Sequence, residues 1–193
     1  MSDTVTGNPW LQHLSIVQAA SVIRAGGLVA YPTEGVWGLG CDPFSEDALQ
    51  RVLKLKRRKM GMGVILVAAN LQQLQPYLAG LKPSQIQVLK DSWPGPVTWL
   101  IPNNGYAPEW ITGGRETLAV RVTDHPLVQA LCVRADSPIV STSANPHKIP
   151  SAKTALKVRC YFGDQVDYVT AGKTGGRTKP SAIFDLISGK QIR

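Results

Sequence analysis

The chain alternates between two hydrophobic periods. From Leu11 to Ala25 the apolar positions Leu11, Leu14, Ile16, Val17 and Ala20 to Ile23 recur at helical spacing, Gln12, His13, Gln18 and Arg24 lie opposite, and Gly26-Gly27 closes the segment. Gly27 to Tyr31 is a short apolar run stopped by Pro32, the signature of a strand, and a glycine-bearing loop is expected from Pro32 to Phe44. Ser45 reads as an N-cap, with Glu46 and Asp47 in the first turn and bases in the last, so 46–58 is expected to be a helix. Gly63 to Ala69 reads as a buried strand, and Asn70 and Ser84 as caps of two short helices. Trp93-Pro94-Gly95-Pro96 is a rigid turn before the strand Val97 to Ile101. Thr117 to Thr123 is the next strand; Asp124 is expected to cap a helix with Pro126 in its first turn, and Pro138 to Ser141 returns as strand. Ser151 to Phe162 reads as helix, Val166 to Thr170 and Ala182 to Ile187 as strands, and Ser188-Gly189 as a turn. This end-to-end alternation predicts an α/β fold: one domain spanning 1–193, with its core from about residue 11, built as an open twisted mixed sheet with helices packed on it.

Length and composition narrow the class. A chain of 193 residues with 44% apolar residues buries roughly 70% of its unfolded surface, which excludes disorder for its bulk. The longest apolar run, Val64 to Ala69, is strand-sized, and the N-terminus lacks a basic stretch followed by an apolar one, so a protein of the cytoplasm without membrane contact is expected. Cys41, Cys132 and Cys160 are odd in number and widely spaced, which fits neither a disulfide framework nor paired zinc ligands; all three are expected in the core.

The net charge of +8 is unevenly placed. Residues 51–59 hold six bases and no acid, residues 150–193 hold eight bases against three acids, and the remainder is slightly acidic. A basic cluster of this kind binds a polyanion such as nucleic acid or nucleotide phosphates, or it merely complements the dipole at the end of a helix.

Familiar catalytic patterns are absent. Gly172-Lys173-Thr174 is not a phosphate loop, because position 167 is Asp and no helix follows before Pro180. Gly38-Leu39-Gly40 fails the dinucleotide fingerprint at Pro43. The histidines His13, His125 and His147 are scattered and form no triad order or metal spacing, so no metal is expected on protein side chains.

Four polar islands stand at element ends, where α/β proteins place ligands. Thr33, in Pro32-Thr33-Glu34, either holds a small polar ligand or completes an ordinary turn. Lys56-Arg57-Arg58 ends the second helix. Arg121 shares one face of its strand with Ala119 and Thr123, and a guanidinium there needs either a ligand carboxylate or phosphate or one of the protein's own acids. Ser141-Thr142-Ser143-Ala144-Asn145 offers uncharged donors and acceptors suited to phosphate or ribose, or else forms a capped turn.

Taken together, these islands resemble the YrdC/Sua5 family in its short bacterial form. The resemblance runs from about Leu11 to the C-terminus. It rests on Tyr31-Pro32-Thr33-Glu34 with Gly38-Leu39-Gly40-Cys41-Asp42, Leu55 to Arg58, Trp93 to Thr98, Leu118 to Val122, Ser141 to Asn145, and Pro180-Ser181-Ala182-Ile183. The chain departs from the family pattern at Lys59, at Met62 and over Pro146 to Pro150.

The resemblance implies a YrdC-like fold with a positively charged concave face and a nucleotidyltransferase. That enzyme forms L-threonylcarbamoyladenylate from L-threonine, bicarbonate and ATP with release of pyrophosphate, for the N6-threonylcarbamoyl modification (t6A) of adenosine 37 in tRNAs reading ANN codons. It also implies Lys56 and Arg58 as catalytic residues on the triphosphate, with Mg²⁺ carried by the ATP phosphates. Ser141, Ser143 and Asn145 would contact ATP; Thr33, Arg121 and Ser181 would hold threonine, Arg121 on its carboxylate, and Thr98 is a further candidate. The implied partners are the other proteins of the pathway, TsaB, TsaD and TsaE, and tRNA. The competing expectation is a protein that binds double-stranded RNA or tRNA during ribosome maturation without turnover.

Overall fold

Pairing partners are found across the whole width of one sheet. In the computed structural model, which describes residues 7–58, 61–177 and 181–193, eight strands form a mixed sheet. In chain order they are β1 (Val29–Pro32), β2 (Trp37–Gly40), β3 (Ile65–Ala68), β4 (Val97–Pro102), β5 (Thr117–Val122), β6 (Ile139–Ser143), β7 (Tyr168–Val169) and β8 (Ala182–Asp185). Their spatial order is β7-β1-β2-β6-β3-β5-β4-β8. The β1–β7, β3–β5 and β4–β8 pairs are parallel and the others antiparallel, which makes the sheet mixed as expected.

The helices are α1 (Leu14–Arg24), α2 (Glu46–Leu55), α3 (Leu71–Leu78), α4 (Pro83–Ser92), α5 (Glu109–Thr112), α6 (Pro126–Ala135) and α7 (Ala155–Phe162). Ser45 caps α2, its hydroxyl accepting from the Ala48 amide at 3.3 Å, and α2 buries Ala48, Leu49, Val52 and Leu53. Strand alternation then divides the interior. Leu118, Val120 and Val122 of β5 and Leu66 of β3 point into the largest core with Leu49, Val52, Leu74 and Trp99, while Val67 joins Ile16, Tyr31, Leu127 and Leu131 on the other face. A third cluster packs Ala30, Trp37 and Leu39 against Phe162 and Val166.

Several expectations are corrected. The loop foreseen from Pro32 to Phe44 contains β2, which returns antiparallel to β1. Gly38 and Gly40 mask its alternation, and Gly40 is required: a Cβ there would meet the Val140 carbonyl at 2.5 Å and the Tyr31 ring at 2.8 Å. Helix α2 stops at Leu55, Lys56 is its C-cap, and Arg57 turns left-handed with φ 52°. The α6 cap position is His125, not Asp124, whose carboxylate pairs with Arg177 instead. Pro83 opens α4 one residue before Ser84, and Thr154 rather than Ser151 precedes α7. Strand β8 ends at Asp185, whose Oδ1 accepts from the Ser188 amide and closes the turn early. The short α5 was not foreseen. Cys41 and Cys132 are buried, but Cys160 is exposed on α7. Lys59 and Pro180, named in the sequence reading, lie outside the described residues. Among the described residues no helix is long and apolar enough to cross a membrane.

Candidate active site

The face of β5 that points away from the main core has to be covered or left open, and here it is open. Ala119, Arg121 and Thr123 line a cavity of about 790 Å³, within the range that holds a substrate-sized molecule. Ile65 and Val67 of β3 and Thr98 of β4 continue its floor. Seven of the nine expected site residues line it: Thr33, Arg58, Thr98, Arg121, Ser141, Ser143 and Ser181. They come from six separate stretches of chain, so only the sheet order brings them together.

Lys56 and Asn145 are not among the lining residues; both contact Ser143, which is. Lys56 is almost fully buried, and its Nζ donates to the Ser143 carbonyl and to the Asn145 carbonyl at 3.1 Å, with Ser143 Oγ and Asn145 Oδ1 each at 3.4 Å. Ser143 Oγ in turn donates to Asn145 Oδ1 at 2.6 Å, so one buried ammonium organises the end of β6. Burial lowers the Lys56 pKa to about 8, and neighbouring Arg58 adds to the depression.

Arg121 has found a partner within the protein. Its Nε donates to the Gly95 carbonyl at 2.8 Å, and its Nη2 forms an ion pair with Glu34 whose alignment is poor for a hydrogen bond. Glu34, which the sequence offers as part of the Tyr31–Glu34 motif and as a nearby but unassigned proton acceptor, is 8% exposed and accepts from the Thr123 hydroxyl at 2.6 Å. Burial works to raise its pKa, but the Arg121 charge and the Thr123 hydroxyl prevail and hold the carboxyl below its ordinary range. Thr33 spends its hydroxyl proton on the Val36 carbonyl at 2.8 Å, leaving oxygen lone pairs free, and Thr98 Oγ1 lies 3.4 Å from Ser181 Oγ.

Both basic stretches of the sequence reach this cavity, Arg58 from the first and Arg177 and Arg193 from the second, and Arg115 joins them. Arg177 also pairs with Asp124. Sequence reasoning missed Arg115, Arg177, Arg193 and Ser151; the C-terminal charge excess was a signal for Arg177 and Arg193, and nothing local marked Arg115 or Ser151. The 170–177 segment that invited a phosphate-loop reading forms an extended strap instead. Gly175 N donates to the Thr33 carbonyl at 3.0 Å, Arg177 N donates to the Glu34 carbonyl at 2.8 Å, and a Cβ on Gly35 would meet the Arg177 carbonyl at 2.8 Å. Among the described residues no cluster of His, Cys, Asp or Glu side chains could hold a metal ion. Among the described residues the arrangement offers several guanidiniums and hydroxyls, a single acid on the cavity wall and no nucleophile–base pair; it is suited to binding and neutralising an anionic reactant.

A family model, Sua5_yciO_yrdC, described as "Telomere recombination", matches residues 21–193. The chain belongs to the Sua5/YciO/YrdC family. Within that family it is 53% identical over 184 residues to a threonylcarbamoyl-AMP synthase of Cellvibrio japonicus, covering 95% of this chain and 97% of that one. It is also 53% identical over 175 residues to the Pseudomonas aeruginosa protein of the same name, covering 91% and 94%. Among solved structures, Pyrococcus abyssi Sua5 complexed with L-threonine superposes with a TM-score of 0.80 at 34% identity, covering 88% of this chain and 50% of the archaeal one, so this chain spans about half of Sua5. Escherichia coli YciO superposes with a TM-score of 0.76 at 25% identity, covering 88% and 82%.

Proposed function

We propose that this chain is a threonylcarbamoyl-AMP synthase, a nucleotidyltransferase that joins L-threonine, bicarbonate and ATP into L-threonylcarbamoyladenylate and releases pyrophosphate. The observation that carries the reading is the single cavity in which an arginine-rich region meets the Thr33–Arg121–Ser181 group, in a chain so close to relatives of that name. The threonine bound to Pyrococcus abyssi Sua5 supports assigning the amino-acid site to the shared fold. The reading of an RNA binder without turnover is not favoured by these relatives.

In this reading the threonine nitrogen, once its ammonium has given up a proton to solvent, forms a bond to the bicarbonate carbon with loss of water to give N-carboxythreonine, whose carboxylate oxygen attacks the α-phosphorus of ATP as the bond to the bridging oxygen of pyrophosphate breaks. Such a displacement needs alignment and charge neutralisation more than acid–base chemistry. Arg58 lies against the triphosphate, with Lys56 as the buried charge behind it, Ser141 and Ser143 forming the nucleotide wall, and Asn145 bracing Ser143 at its edge. Arg121 takes the threonine carboxylate, and Thr33, Ser181 and Thr98 line its side-chain pocket. Hydroxyls and guanidiniums without a carboxylate cluster fit Mg²⁺ carried by the nucleotide's own oxygens, where it would neutralise phosphate charge. The product serves t6A formation on tRNA, with TsaB, TsaD and TsaE as downstream partners, and the cytoplasm is where ATP and tRNA meet it. The test is pyrophosphate release by the purified chain: it is expected only when threonine, bicarbonate and ATP are all supplied. Release indifferent to threonine would overturn the assignment.

A further inference from the structure

The cavity is lopsided in charge. Glu34 is the one acid among its described lining residues, facing a wall that also carries Arg58, Arg115, Arg121, Arg177 and Arg193. A carboxylate buried beside a polyanion site works against that site, so its position asks for a reason. Service as a counterion accounts for half of it: Oε1 meets both Arg121 Nη2 and the Thr123 hydroxyl. The carboxylate is nevertheless not sealed off: its side chain keeps 10% of its surface exposed, and Glu34 lines the cavity beside Arg121. Asp124 is the neighbouring acid, and it is paired with Arg177.

An α-amino acid carries its carboxylate and its ammonium on one carbon, so its two charges need two opposite partners that touch each other. Arg121 and Glu34 are such a pair, neutral in sum, whereas among the described residues no acid lines the wall beside Arg58 and Arg115. We infer that Glu34 receives the α-ammonium of the amino-acid substrate while Arg121 takes its carboxylate, so that the two together select a zwitterion at this end of the cavity and leave the polyanion to the other arginines. The inference rests on the reading of Arg121 given under the proposed function. The Arg121 charge and the Thr123 hydroxyl favour the ionised carboxylate that an ammonium requires, so Glu34 acts here as a specificity residue for the incoming zwitterion.

Titration calorimetry of the whole chain with L-threonine and with (R)-3-hydroxybutyrate, which keeps the carboxylate and β-hydroxyl but lacks the amine, tests this. Glu34→Gln is expected to weaken threonine binding about tenfold, the value of one charge-assisted contact. It should leave (R)-3-hydroxybutyrate unchanged or tighter, because a negative charge has been removed from beside an anion. Equal weakening of both ligands would show that Glu34 acts only by orienting Arg121 and would overturn the inference, as would unchanged threonine affinity. Failure of the unmodified chain to bind threonine at all would instead sink the functional reading on which the inference stands. Glu34→Asp, which keeps the charge but withdraws it by one methylene, gives the same contrast if Glu34→Gln does not fold.

Discussion

Replacing Lys56 with Met keeps the aliphatic stem and removes the ammonium that ties the end of β6 together through Ser143 and Asn145. Burial displaces the Lys56 pKa from 10.5 to about 8, so the folded protein disfavours the charged form by about 3 kcal/mol relative to water. At pH 7 both folded and unfolded chains carry the proton and the whole penalty is present. As pH rises from about 8 to 10.5 the folded chain loses the proton first, and stability increases. Other buried groups act in the opposite sense: burial pushes the Cys41 thiol up to about 12 and also raises Cys132, Tyr31 and Tyr77, so these reduce stability as the unfolded chain ionises. They are common to both proteins and cancel in the difference. Urea unfolding of wild type and Lys56→Met at pH 7 and pH 9.5 should therefore show wild type gaining about 2 kcal/mol on the variant across that interval. A difference that does not change with pH would refute a buried, protonated Lys56. Pyrophosphate release should fall in the variant at both pH values, because Ser143 on the cavity wall and Asn145 beside it lose their anchor.

Arg58→Ala is expected to raise the KM for ATP at least about tenfold and leave that for threonine nearly unchanged, with Arg121→Ala doing the reverse; steady-state pyrophosphate release with each substrate varied checks the partition, and a reversed pattern would refute it. Gly40→Ala places a methyl 2.5 Å from the Val140 carbonyl and 2.8 Å from the Tyr31 ring, so the thermal midpoint should drop by several degrees, corresponding to a loss of about 1–3 kcal/mol; an unchanged midpoint would mean that β2 and β6 part without cost.

Much of the fold was readable because its signals are local. Helix α2 has a Ser cap, acids in its first turn and four buried apolar positions at helical spacing, and each of these is visible in ten residues of sequence. The alternation in β5 likewise placed Arg121 opposite Leu118, Val120 and Val122 before any partner strand was known. Strand β2 failed to show because two of its four residues are glycines, which erase the pattern that the pleat would otherwise print. The short α5 escaped for lack of length: four residues carry no period.

What the sequence determined by itself was the kind of chemistry at hand: two basic stretches, hydroxyl-rich strand ends, and no triad or metal spacing. These follow from residue types and neighbours alone. The tertiary structure decided which of those groups share a space, because the cavity is made by strands far apart in sequence whose order follows from burial and pairing. It moved Lys56 from the expected ligand surface to a buried anchor and gave Arg121 an internal partner in Glu34, 87 positions away in the chain. It also turned the C-terminal charge excess into Arg177 and Arg193 at the same cavity as Arg58. The physical reason is common to all three: the cost of burying a charge depends on partners that only the folded chain brings within reach.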